Sequence, residues 1–154
     1  MYNDQKHISI KYEGIFLDNT EVENLFIKAR GQKAKLNQTL MTQHVTTEYK
    51  PQTYHPNWYG QKVTIRITSY AMQDVKTEDG NTTTNEGFKV SLASKNQELN
   101  DYLATVVKKF HITGSYNDKA QYTNNIDFSK GQEFNATLTG TFGAFLEDDT
   151  IKLD

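Results

Sequence analysis

The chain has 154 residues, of which 36% are hydrophobic, with 17 Lys and Arg against 19 Asp and Glu and a formal net charge of −2. That length suits one domain with an ordinary core. The absence of cysteine excludes a disulfide scaffold, a cysteine-based zinc site and thiol catalysis. No apolar run approaches the roughly 20 residues of a spanning helix, and none near Met1 resembles a leader, so a soluble cytoplasmic protein away from membranes is expected.

The charge is uneven. Residues 146–154, LEDDTIKLD, carry −3, which leaves the rest at +1, and Lys28, Arg30, Lys33 and Lys35 form a basic cluster near the other end. Nine tyrosines, eight phenylalanines and one tryptophan exceed the needs of a small core. Some of that aromatic surface is expected to be exposed or shared with a ligand.

In chain order, His7–Tyr12 alternates as a strand, Glu13-Gly14 turns it, and Ile15–Leu17 is a short apolar run that can pair back. Thr20 and Glu23 have capping-box spacing, and Val22, Leu25, Phe26 and Ala29 give a short amphipathic helix closing near Gly31. Residues 37–60 hold both prolines and read as a long loop with an edge strand around Gln43–Tyr49. Tyr49, Tyr54, Trp58 and Tyr59 in that segment form either a clasp over the core or an exposed stacking surface.

Gln61–Tyr70 is the clearest strand. Val63, Ile65 and Ile67 take the core side, while Lys62, Thr64, Arg66, Thr68 and Tyr70 share the other. Asp79-Gly80 marks the tip of a long polar hairpin that leads into Phe88–Leu92. The stretch Gly87–Gly114 then predicts a strand, a capped helix and a strand. Ser94 and Gln97 have capping-box spacing. Leu99, Tyr102, Leu103, Val106, Val107 and Phe110 form one apolar stripe, and Lys108 and Lys109 suit a helix C-terminus. A polar insertion around 117–125 precedes a last strand, which turns at Lys130-Gly131 and runs through Phe134, Leu138, Gly140 and Phe142. Its glycines suit the bends of a small barrel.

From Gly60 onward the order predicts a β-rich α+β fold, a five-stranded Greek-key barrel with one helix between strands 3 and 4. Here YGQKVTIRIT, the long polar hairpin, GFKVSLASKNQELNDYLATVVKK and FHITGSY resemble the OB-fold single-stranded DNA-binding proteins. That family has a strand, an AxxLxxYLxK-type helix and a VxVxGxL-type strand in this order. SKGQEFNATLTGTF adds a lysine-glycine turn and a glycine-ended strand common in OB-folds. The resemblance covers about residues 60–143.

It implies a single domain, with residues 1–59 as an N-terminal extension, 60–145 as the barrel and 146–154 as an acidic tail. Such an extension suits a plasmid- or phage-borne version, and a homo-oligomer is one form the resemblance allows. The tail is similar in charge to the family's partner-binding tips but ends on Asp154 rather than an apolar residue.

Sequence-tolerant binding of single strands needs positive charge along a groove and aromatic rings on which bases stack. Lys62, Arg66 and Tyr70 lie on one strand face, Lys89 on the neighbouring strand, and Tyr54, Trp58 and Tyr59 just before. These seven are the expected nucleic-acid-binding residues, and single-stranded DNA is the expected partner. Taken singly, Arg66 reads as a solvated arginine and Trp58 equally as a core anchor.

Catalysis finds little support. His7, His44, His55 and His111 are scattered without metal-ligand spacing, and no phosphate loop or nucleophile elbow is present. No catalytic residue, metal or cofactor is expected. Two other classes remain: a carbohydrate- or protein-binding β module of a phage or bacterial accessory protein, and an inhibitor or immunity protein acting through the acidic tail.

Overall fold

The computed structural model describes residues 9–31, 38–39, 43–51, 53–93, 97–106, 110–116 and 127–154. Strand β1 (Ile10–Phe16) leads into helix α1 (Asn19–Arg30), then β2 (Gln38–Thr39), β3 (His44–Tyr49) and a 3-10 turn at Pro56–Trp58. Next come β4 (Lys62–Lys76), β5 (Thr82–Leu92), helix α2 (Gln97–Val106), β6 (His111–Thr113) and β7 (Ser115–Tyr116). A second 3-10 turn, Phe128–Lys130, precedes β8 (Gln132–Leu146) and β9 (Ile151–Lys152).

Hydrogen bonding follows the path β3-β1-β8-β4-β5-β6, antiparallel throughout, with β9 also on β8 and β2 paired only to β7. The ends of the path, β3 and β6, come within 8 Å between Cα atoms. Six antiparallel strands therefore nearly close into a barrel.

Two of those six differ from expectation. The N-terminal segment is no appendage to a five-stranded barrel, because β1 sits beside β8 and β3 beside β1. Residues after Gly60 supply only four strands of the path, since β4 and β5 are long unbroken arms of one hairpin. Helix α2 thus falls between the fourth and fifth barrel strands in chain order.

The expected turn at Glu13-Gly14 is instead continuous strand. A Cβ on Gly14 would sit 2.7 Å from the Val45 carbonyl oxygen, so this glycine admits the β3 backbone rather than reversing the chain. Gly140 acts likewise, for its Cβ would meet the Phe16 carbonyl oxygen at 2.6 Å.

The core is what the alternating strands predict. Ile15, Val63, Ile65, Ile67, Phe88, Val90, Leu138 and Phe142 fill the barrel, joined by Val22 and Phe26 from α1 and Leu99 and Leu103 from α2. Phe26 stacks on Phe88 with ring centroids 4.1 Å apart. The cap of α1 is Asp18, whose carboxylate accepts from the Glu21 N–H at 2.8 Å. Thr20 already lies inside the helix, two residues past the cap, so the expected capping box does not form there. The expected Ser94 cap and the lysines at 108 and 109 lie outside the described residues, as do Lys33 and Lys35.

The acidic tail also folds back. Leu146 N–H donates to the Thr150 carbonyl at 2.9 Å, and Ile151 and Lys152 pair with Phe145 and Ala144. Lys11 reaches Asp149 at 3.4 Å. No helix among the described residues is long and apolar enough to cross a membrane.

Candidate functional site

Strand alternation builds one polar outer face. On β4, Lys62, Thr64 and Arg66 point away from Val63, Ile65 and Ile67, which are fully buried. Across the ladders, Arg66 lies opposite Ser91 of β5 and Thr137 of β8. Lys89 stands two residues from Ser91 and therefore shares that face.

Lys62, Arg66 and Lys89 are exposed. Among the described residues none of them has a carboxylate within ion-pair distance. Hydroxyls fill the space between them. Lys62 Nζ donates to Thr141 Oγ1 at 3.0 Å, and the Thr64 and Thr139 hydroxyls are 3.2 Å apart. Glu133, held by the Asn135 amide at 2.9 Å, closes the far end of the β8 row.

The aromatic residues fare differently. Register shifts fall between Ile67 and Ser69 in both ladders of β4. A bulge of this kind reverses which residues face inward, and Tyr70 turns into the core at 3% exposure. Its hydroxyl donates to Glu86 at 2.6 Å. Tyr70 is therefore no stacking residue, contrary to expectation.

Tyr59 is buried too, donating to Glu13 at 2.6 Å. Trp58 is half-buried against the core, and one face is covered by His55 with centroids 5.4 Å apart and planes 9° from parallel. Only Tyr54 of the four expected rings is exposed, at 51%. Tyr49, which strand reading placed on the edge, is exposed as well.

The interior holds two carboxylates that no local spacing signalled. Glu86 of β5 meets Arg30 from the end of α1, with Nε donating to Oε2 at 3.0 Å and Nη2 donating to Oε1. The expected basic cluster thus loses Arg30 to the core. Hydrogen bonding to Glu86 raises the guanidinium pKa above its usual value against the opposing effect of burial. Burial, and then the bond to Glu86, push the Tyr70 hydroxyl well above the ordinary tyrosine range.

Glu13, fully buried on β1, is paired across the ladder with Glu48 of β3. It accepts from the His55 backbone N–H at 2.9 Å and from Tyr59, and its other oxygen lies 2.8 Å from His55 Nδ1. Glu48 accepts from Tyr102 of α2 at 2.5 Å. Burial and these carboxylates hold the Tyr59 and Tyr102 hydroxyls protonated well above the ordinary range. The rings of His55, Trp58 and Tyr102 form a triangle, with Tyr102 4.2 Å from His55 and 5.2 Å from Trp58 between centroids.

Glu13 and His55 are 42 positions apart and Glu48 and Tyr102 are 54 apart, so only the tertiary fold, with β1 paired to β3, brings them together. The one sequence signal was the run of aromatics around His55. Comparison with protein-family models, curated proteins and solved structures gives no match to this chain.

Proposed function

We propose that the protein binds single-stranded DNA with little sequence preference, without catalysis, across the outer face of β4, β5 and β8 of an OB-like barrel. The observation that carries this reading is the row of three exposed cations, Lys62, Arg66 and Lys89, on one strand face without carboxylate partners among the described residues. A cation not engaged by a carboxylate can neutralise a phosphate and release its counterion. The intervening hydroxyls of Ser91, Thr137, Thr139 and Thr141 are short enough to leave that face open to a strand and can donate to phosphate oxygens. Tyr54 remains as an exposed ring for stacking while Trp58 is packed by His55 and Tyr102, so phosphate contacts dominate over base contacts here.

Fluorescence anisotropy of a labelled oligo-dT at two salt concentrations, beside the duplex and a single-stranded RNA, tests this directly. The single strand binds most tightly, with a log–log salt slope of about −2 to −3 for three phosphate contacts. Arg66→Ala reduces the magnitude of that slope by about one unit. Absence of binding at low salt, or a slope near zero, rejects the reading.

A further inference from the structure

A small cluster at the β1–β3 end of the barrel has the donors of a metal site. One carboxylate oxygen each from Glu13 and Glu48 and one ring nitrogen of His55 all lie within 4.8 Å of one another. We propose that these three residues bind one divalent transition-metal ion, with zinc as the matching test ion.

Charge is the first argument. Glu13 and Glu48 are direct cross-strand partners, an arrangement that like charges disfavour. Two carboxylates share a single imidazole, which at most offsets one of them. Among the described residues, His55 is the only cationic group within ion-pair distance of either carboxylate. The other buried carboxylate, Glu86, has Arg30. A divalent ion supplies at Glu13 and Glu48 the charge that the guanidinium supplies at Glu86.

Donor chemistry is the second. Two carboxylate oxygens and an imidazole nitrogen are borderline-hard ligands that suit zinc, and three protein ligands leave a fourth tetrahedral position for water. Zinc–oxygen and zinc–nitrogen distances of about 2.0–2.2 Å set tetrahedral ligand atoms roughly 3.3–3.5 Å apart, so the Glu13–His55 contact of 2.8 Å must widen to admit the ion while Glu48 adjusts to it. Glu48, which is only half-buried, can make that adjustment by side-chain rotation. On binding, the metal takes the Nδ1 lone pair, the imidazole proton resides on Nε2, and any second ring proton is released to solvent.

The outer partners are already in place. Tyr59 and the His55 backbone N–H hold Glu13, Tyr102 holds Glu48, and the imidazole packs against both Trp58 and Tyr102. Such partners orient ligands and tune affinity. This site is separate from the outer cationic face and does not depend on nucleic-acid binding.

The experiment is calorimetric titration of zinc chloride into chelator-treated full-length protein, with His111→Gln as a control for adventitious histidine binding. One zinc per chain is expected, with unaltered affinity in His111→Gln. Glu48→Gln and His55→Gln should each weaken binding by about a hundredfold and Tyr102→Phe by about tenfold. Zinc at saturation should also protect His55 of the unaltered protein from diethyl pyrocarbonate, read by peptide mass spectrometry, which needs no variant to fold. Wild-type affinity in both Glu48→Gln and His55→Gln, no saturable binding, or unchanged His55 modification at saturating zinc would each overturn the proposal.

Discussion

The two buried carboxylates, Glu86 and Glu13, are solved by opposite means. Glu86 sits in a closed cluster whose cation is permanent: Arg30 engages both carboxylate oxygens and Tyr70 adds a third donor. The guanidinium cannot lose its proton in the accessible pH range, and its fork matches a carboxylate. Glu13 has the Tyr59 hydroxyl, the His55 backbone N–H and the His55 ring but no permanent cation among the described residues, and a second carboxylate stands across the ladder. The comparison teaches that one buried acid is locked to a guanidinium, whereas the other is held by hydroxyl, backbone N–H and imidazole contacts.

The sharpest way to break this contrast is to remove Arg30. Arg30→Met leaves Glu86 buried without its counter-charge and should cost about 3–5 kcal/mol in urea unfolding, the range for breaking a buried pair. A loss under about 1 kcal/mol would mean the pair is solvated in solution.

Next in size are the tyrosine hydroxyls. Tyr70→Phe and Tyr59→Phe each delete one bond to a buried carboxylate and should each cost about 1.5–3 kcal/mol. Because Tyr59 is core rather than interface, Tyr59→Phe should leave DNA affinity unchanged, whereas Tyr54→Ala should lower it by at least about 1 kcal/mol.

Removal of the imidazole is milder. His55→Gln spares the backbone N–H and the Tyr59 hydroxyl on Glu13 and acts at a partly exposed side chain, so about 1 kcal/mol is expected in the absence of metal. A loss as large as that of Arg30→Met would erase the distinction between the clusters.

The smallest effect at neutral pH appears only in alkali. Tyr59, Tyr70 and Tyr102 have folded-state pKa values raised above the ordinary 10.0, chiefly by burial. A raised value means the folded state holds the proton more tightly. Stability from these groups is therefore fully present below about pH 10 and is lost as pH rises toward the folded values. The urea midpoint should fall between pH 9 and 11, and absorbance at 295 nm should show Tyr59, Tyr70 and Tyr102 ionising above the ordinary tyrosine range. Arg66→Ala, by contrast, should change stability by less than about 0.5 kcal/mol at any of these pH values.

Local pattern carried much of the fold. The alternation of Val63, Ile65 and Ile67, the Asp79-Gly80 tip, the spacing of Val22 with Phe26 and of Leu99 with Leu103, and the β3 edge strand are all where chain-order reading puts them. Each is dictated by contacts within a few residues or by a period of 2 or 3.6. The outward cations Lys62, Arg66 and Lys89 were legible for the same reason.

What the sequence by itself determined, then, was the two helices, the strands β3, β4, β5, β6 and β8, and the polar side of β4 up to its bulge. Tertiary structure alone decided the closure of the barrel with β1 and β3, the inward turn of Tyr70 beyond the bulge, and the folding-back of residues 151–152 onto β8. It alone decided the meeting of Glu13 with His55 and of Arg30 with Glu86. The physical reason is register. Period 2 says which side chains share a face but not which strand lies alongside, and one extra residue in a ladder exchanges inside for outside.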